Sequence, residues 1–264
     1  MKKIKVGQIG KGGFGKKILS KLENIDNVSV EWVYGSQDKW WESDVDLDWV
    51  IVASPNEFHY EQAKHYLQNG VNVFCEKPAT LANHSLDELI NLSENNNLSF
   101  YIDDVLVYED ILPINNFIYK KWGGLSANII DRMAYHHFYL TYDMISLYQD
   151  SDGTPSNINV ITNDLRHKIF EVEFDDLKFK YEYDFGWFQK KVHNITPRFS
   201  GDALENMLTK VLHKDVDFKL NHKRSIFATK LSSYVKTKLY GKCAVVGGGM
   251  YGLSLPGTAL INNY

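Results

Sequence analysis

A short apolar segment, Ile4-Lys5-Val6-Gly7-Gln8-Ile9, runs directly into Gly10-Lys11-Gly12-Gly13-Phe14-Gly15, and Phe14, Ile18, Leu19 and Leu22 then recur at helical spacing. This order of strand, glycine string and helix constrains the chain more than any other feature. The next segment, Val28-Ser29-Val30-Glu31-Trp32-Val33-Tyr34, has strand composition and closes one βαβ unit within about 30 residues. In such a unit the glycines of G-x-G-x-x-G have separate tasks: a tight turn, close approach of backbone N–H groups to a pyrophosphate, and close packing of helix on strand. Gly10, Gly12, Gly13, Phe14 and Gly15 are read as a dinucleotide-binding loop. The competing reading is a turn with a purely structural role.

The alternation continues. Asp48 to Ala53 is almost wholly apolar, as expected of a parallel strand covered on both faces. Phe58, Ala63, Tyr66 and Leu67 mark a helix that stops at Gly70, and Val71 to Cys75 form the next strand. The string Ser85-Leu86-Asp87-Glu88 reads as a capping box opening a helix through Leu89, Ile90 and Leu92, and Leu98 to Ile102 is a further strand. Ligands of such a sheet bind beyond the carboxyl ends of its strands, where Gly10, Ser54, Lys77 and Asp103 fall.

Past about residue 123 the strands cluster. Phe170 to Phe174 and Leu177 to Tyr181 alternate apolar and charged residues around Asp175-Asp176, predicting a two-residue hairpin with Glu173 opposite Lys178 and Glu171 opposite Lys180. Two amphipathic helices come next, one with Leu204, Met207, Leu208 and Val211 on a face and Asp202 as its cap, the other with Phe227, Leu231, Tyr234 and Val235. The expected fold class is α/β. An N-terminal Rossmann domain with a doubly wound parallel sheet (1–120) precedes a smaller α+β domain with an open, mainly antiparallel sheet (121–240) and a tail (241–264).

Composition narrows the partners. With 29 Lys+Arg against 33 Asp+Glu the formal charge is −4, so no general field draws the chain to nucleic acid or anionic lipid, and small-molecule partners are expected. Cys75 and Cys243 are too few for a disulfide scaffold or zinc cluster, so no metal is expected. The start lacks a signal-peptide apolar core and no stretch suffices to span a bilayer, giving a cytoplasmic reading without membrane attachment.

Three strings together, Gly10 to Gly15, Ala53-Ser54-Pro55-Asn56-Glu57-Phe58-His59 and Cys75-Glu76-Lys77-Pro78, resemble the Gfo/Idh/MocA oxidoreductases, the glucose-fructose oxidoreductase and inositol dehydrogenase family. The resemblance is strong over residues 1–120 and weaker beyond, where Val216-Asp217-Phe218 and Asn221-His222-Lys223-Arg224 look like the start of the family's closing helix. It implies a nicotinamide cofactor, a sugar, cyclitol or nucleotide-sugar substrate, and an open sheet facing substrate or another copy of the chain, hence a homo-oligomer. It also implies Ser54, Pro55, Asn56, His59 and Glu76 as cofactor-binding and Lys77 as cofactor-binding, substrate-binding and catalytic. Many members carry an Asp-x-x-x-His pair whose His handles the substrate proton. Aligning on Asp143-Met144 puts that pair on His136 and Leu140, so the catalytic His is absent from its usual place and His136 and His137, one turn earlier, are the candidate catalytic residues in its stead, while Asp131 offers a second alignment.

Hydride exchange with a carbinol carbon needs a group that takes or returns the hydroxyl proton, and Lys77 is the first candidate. A lysine that only hydrogen-bonds ribose or substrate is the alternative. Asp103 and Asp143 are candidate ligands of substrate hydroxyls, against the common use of aspartate as a cap. No carboxylate occurs between the second strand and Asp38, and Ser36 and Lys39 suit a 2′-phosphate, which tilts the expectation from NAD towards NADP. Lys242 to Gly252 again reads as strand and glycine string, resembling the opening of a flavin-binding domain. Pro256 and Gly257 interrupt the segment where its helix would run, so no second βαβ unit and no flavin are expected. A fusion stump and an apolar tail packed on the body both remain open, as does a non-catalytic nucleotide-binding protein or the partner half of a flavoenzyme.

Overall fold

The computed structural model describes residues 3–35, 38–42, 46–121, 129–186 and 191–241. Ser36 and the glycine string at 247–252 lie outside these residues. Five strands, β1 (Ile4–Ile9), β2 (Val28–Tyr34), β3 (Trp49–Val52), β4 (Asn72–Cys75) and β5 (Phe100–Ile102), form an all-parallel sheet in the order β2-β1-β3-β4-β5. The order reverses between β1 and β3, which opens a crevice at their carboxyl ends. One face is covered by α2 (Asn56–Gln68) and α3 (Asn83–Asn95) through Ala63, Leu67, Leu86 and Leu89, and the other by α1 (Gly13–Leu22) through Ile18 and Leu22. All four residues of β3 are buried, as a strand covered on both sides requires.

The second sheet runs β10-β6-β9-β8-β7, built from β6 (Asn116–Lys120), β7 (Asn157–Asn163), β8 (His167–Phe174), β9 (Leu177–Asp184) and β10 (Val192–His193). Only β6 and β9 are parallel among these described pairs. The hairpin register is the expected one, Phe174 opposite Leu177 through Phe170 opposite Tyr181, and Asp175 turns it with φ +49°. Its inner face, with Phe170, Val172, Phe179 and Tyr181, packs on α4 (Tyr135–Ile145) and α6 (Phe218–Tyr240). The outer face is polar: Lys178 bridges Glu171 and Glu173 at 2.9 and 3.3 Å, and Asn157 and Asn159 bond the same two carboxylates.

Four local expectations change. Residues 116–120, expected within the first domain, form β6 and pair with β9 in the second sheet. The helix α5 (Ala203–Leu212), expected with the second sheet, seats Met207, Leu208 and Val211 against Val6, Ile51 and Phe74 and so completes the coverage of the first. The chain returns to that sheet because these residues are the apolar stripe its uncovered face lacks. Ser85 does not cap α3, which starts two residues earlier at Asn83 with no side-chain cap. Tyr234 stays 43% exposed while Phe227, Leu231 and Val235 are buried, so the inward stripe of α6 is narrower than its spacing suggests. Asp202 and Asp217 cap α5 and α6 through the N–H groups of Glu205 and Leu220.

Candidate active site

The glycine loop leaves β1 at Gly10, whose φ is +116° and whose missing Cβ would lie 2.2 Å from the Ala53 carbonyl oxygen. A Cβ on Gly15 would meet the Gly10 carbonyl at 2.3 Å. Both positions require glycine by contact alone. At Gly12 and Gly13 a Cβ would touch nothing within 4 Å, so the loop's outer side is open. Buried Gln8 donates its amide to the carbonyls of Gly10 and Gly15, each at 2.9 Å, and holds the loop's two ends together. Nothing in the sequence announces this brace, since a polar residue in a strand reads only as an interruption. Helix α1 begins with neither a side-chain cap nor an acidic residue in its first turn, which leaves N–H groups for anionic oxygens. Phe14 packs partly into the α1/α5 side of the sheet. The open Gly12 and Gly13 positions beside an uncapped helix start fit a dinucleotide pyrophosphate.

The loop after β3 carries Ser54, Pro55 and Asn56, the last opening α2. The Ser54 hydroxyl donates to Gln62 at 2.6 Å. His59 is 1% exposed. Its Nε2 lies 2.7 Å from the Ser54 carbonyl and its Nδ1 2.9 Å from the Pro78 carbonyl, and the neutral ring, with one N–H, donates to one of the two between the loops after β3 and β4. The ring nitrogens of His59, expected as a cofactor contact, are turned to protein carbonyls, and burial pushes its imidazole below the usual range. The Lys77–Pro78 peptide is cis. Near the end of β2, the Asp38 carboxylate accepts from the Gly35 N–H at 2.7 Å and from Lys11 at 2.9 Å, contacts that lower its carboxyl. Lys39 pairs with Glu42 at 2.9 Å.

Lys77 is 7% exposed and donates to the Asp131 carbonyl at 3.2 Å. That carbonyl belongs to a π-helical turn, Ile130–Ala134, which leads into α4. A π turn stacks residues five apart on one face, as an α-helix stacks those four apart, so His136 falls under Asp131. His136 is buried with Nδ1 unpartnered, and burial followed by the Lys77 charge pushes its imidazole well down, into the neutral form. Lys77 thus bonds the turn that leads to His136, and its charge acts on that imidazole. The Asp131 carboxylate itself pairs with Lys236 at 2.5 Å.

His137 does not join them. Consecutive helical residues point in different directions, and its ring stacks on Phe117 and Tyr183 inside the second core. Its Nδ1 lies 2.9 Å from the Tyr183 hydroxyl and its Nε2 3.0 Å from His193 Nε2, which removes it from the catalytic candidates. Two further candidates are engaged by the protein itself. Asp103 has no exposed surface and accepts the Val105 N–H at 2.9 Å, so substrate hydroxyls do not reach it. Asp143 is held by Arg224 Nε at 2.7 Å, and Arg224 also reaches fully buried Asp104 at 3.3 Å, which accepts the Tyr101 hydroxyl at 2.5 Å. Glu76, partly buried beside Lys77, has a carboxyl raised by burial. A cavity of about 790 Å³ lined by Tyr142, Asp152, Thr154, Lys223 and Phe227 contains none of the glycine-loop residues, Lys77 or His136 in its wall.

Residues 23–103 match the family model described as the oxidoreductase family with an NAD-binding Rossmann fold. Over these residues the chain is similar to the Gfo/Idh/MocA oxidoreductases. An uncharacterized oxidoreductase of Streptococcus pneumoniae is 29% identical over 120 residues, 39% of this chain and 32% of the relative. A 2,7-anhydro-N-acetylneuraminate hydratase of Mediterraneibacter gnavus is 30% identical over 92 residues, 35% of this chain and 22% of the relative. The matched stretches thus span a third or less of these relatives. Among solved structures, UDP-N-acetylglucosamine 3-dehydrogenase of Acidithiobacillus ferrooxidans aligns with TM-score 0.71 at 14% identity over 90% of this chain and 98% of that one. The apo scyllo-inositol dehydrogenase of Lactobacillus casei aligns with TM-score 0.67 at 14% identity over 88% and 94%. These likenesses show that the two-sheet fold is shared with these solved structures over most of the chain. No described helix is long and apolar enough to cross a membrane.

Proposed function

We propose that this chain is a nicotinamide-dependent oxidoreductase that moves a hydride to or from a hydroxyl-bearing or keto carbon of a sugar, cyclitol or nucleotide sugar. The observation that carries this reading is that Lys77, just past β4, follows the strand ends of the same parallel sheet that carries the open glycine loop and bonds the turn leading to His136. The N–H groups opening α1 hold the pyrophosphate, and the Ser54-Pro55-Asn56 loop flanks the cofactor. When bound, the nicotinamide would supply the hydride chemistry. Lys77 donates an N–H to the substrate oxygen and steadies the charge that develops there. His136, neutral for the reasons above, takes the hydroxyl proton on oxidation and returns it on reduction.

NAD is the better fit of the two dinucleotides. The NADP expectation rests on Ser36 and on Lys39, and Lys39 is engaged by Glu42. Asp38, whose carboxylate accepts from the Gly35 N–H just past β2 and from Lys11, supports the NAD reading, since a carboxylate after the second strand of such a unit accepts ribose hydroxyls and disfavours a 2′-phosphate. A panel of sugars, cyclitols and nucleotide sugars followed by nicotinamide absorbance tests the reading. Turnover with at least one class supports it; tight dinucleotide binding with no turnover across the panel favours a nucleotide-binding protein without catalysis.

A further inference from the structure

The carboxyl ends of β4 and β5 place two acids side by side. Cys75 is in register with Ile102, and the Asp103 N–H bonds the Cys75 carbonyl at 2.9 Å, so Glu76 and Asp103 are lateral neighbours about one strand spacing, ~4.8 Å, apart on the same side of the sheet. Asp103 has no exposed surface. One of its oxygens accepts the Val105 N–H and the other, Oδ2, is buried without a partner. Glu76 accepts the backbone N–H of Lys77. Two ionised carboxylates here would repel each other and leave a charged oxygen buried with no donor, an arrangement interiors avoid.

We infer that Asp103 and Glu76 share one proton beside Lys77, as a carboxylic acid and carboxylate pair carrying a single negative charge. Protonation turns the orphan Oδ2 from an unserved acceptor into a donor, and the Glu76 carboxylate is the neighbouring acceptor. The other titratable groups facing the pair are Cys75 on β4, Lys77, Asp104 beyond β5, and Tyr139 from α4. Asp104 has its own partners in Arg224 and Tyr101 and does not supply the missing hydrogen. Burial and then the Glu76 charge drive the Asp103 carboxyl well up, and the two acids titrate as one unit.

For the reaction proposed above, on which this role rests, the pair acts by positioning. One negative charge balances one lysine ammonium, whereas two would leave a net negative site facing the oxygen where negative charge develops.

The test is infrared difference spectroscopy of the full chain at neutral pH without dinucleotide, comparing the wild type with Asp103→Asn and with Glu76→Gln. A protonated carboxylic acid C=O band in the wild type, lost in both variants, is the expected result. Glu76→Gln removes it because the new carboxamide donates to Oδ2 and lets Asp103 ionise. No acid band in the wild type, or a band that survives Glu76→Gln, overturns the shared proton. Should Asp103→Asn not fold, Glu76→Gln decides alone, since it leaves the Val105 contact intact. The readout needs no cofactor, so its failure is distinct from a failure of dinucleotide binding.

Discussion

Replacing Arg224 by Met keeps the side chain's bulk and removes its charge. Arg224 comes from α6, Asp104 lies just past β5, and Asp143 lies on α4, so one guanidinium joins the two sheets. Asp104 has no exposure, and stripping the partner from a buried charge costs about 3–5 kcal/mol. Asp143, whose side chain is 32% exposed, adds only ~0–1 kcal/mol. The urea midpoint of tyrosine and tryptophan fluorescence is expected to fall by about 1 M or more. Burial already raises the Asp104 carboxyl, so the folded state binds that proton more tightly than the unfolded chain, and stability falls as pH rises through the folded value. Losing Arg224 raises it further. The deficit of Arg224→Met is therefore larger at mildly alkaline than at mildly acidic pH, and adding Asp104→Asn restores most of it. A loss below ~1 kcal/mol, a deficit that grows on acidification, or no recovery with Asp104→Asn refutes the reasoning.

Lys77→Ala is expected to lower turnover by ~10²–10⁴-fold while dinucleotide affinity stays nearly unchanged; collapsed affinity with intact saturating turnover assigns Lys77 to ribose instead. His193 is lowered by burial from 6.5 to about 4, so the unfolded chain takes up its proton first and stability is lost as pH falls across that window. A thermal midpoint measured against pH should decline less steeply in His193→Gln than in the wild type, and equal slopes reject the assignment. Self-association through the outer face of the second sheet would engage the Glu171, Glu173 and Lys178 ion pairs and is expected to weaken with salt. A single-chain sedimentation coefficient at every salt concentration rejects it.

Much of this architecture is legible in the residues because its signals are local. The glycine string is bracketed by a strand and a helix within one unit, and the hairpin register is dictated by charge alternation about Asp175-Asp176. Contacts between distant segments are not legible in this way. Nothing near Asn221 announces that its carboxamide bonds both backbone groups of Ile102 and closes the free edge of β5. Nothing in the amphipathic stripe of α5 says which sheet it covers. His136 and His137 are equivalent as a dipeptide; only the π turn before α4 and the packing of Phe117 and Tyr183 send one to Lys77 and the other into the core. Asp103 reads as an exposed ligand at a strand end, whereas the fold leaves it no exposed surface and gives its Oδ1 the Val105 N–H.

Fluorescence titration with reduced nicotinamide dinucleotides tests the central claim most directly, using the wild type beside Gly12→Val and Gly15→Val. A side chain at Gly12 projects into open space, so Gly12→Val folds normally and loses binding, whereas one at Gly15 strikes the Gly10 carbonyl and lowers stability as well. The expected result is saturable wild-type binding in the micromolar to millimolar range, tighter for NADH than NADPH, and none in well-folded Gly12→Val. Absence of wild-type binding to either dinucleotide, or undiminished binding in Gly12→Val, contradicts the assignment of the crevice between β1 and β3 as a dinucleotide site.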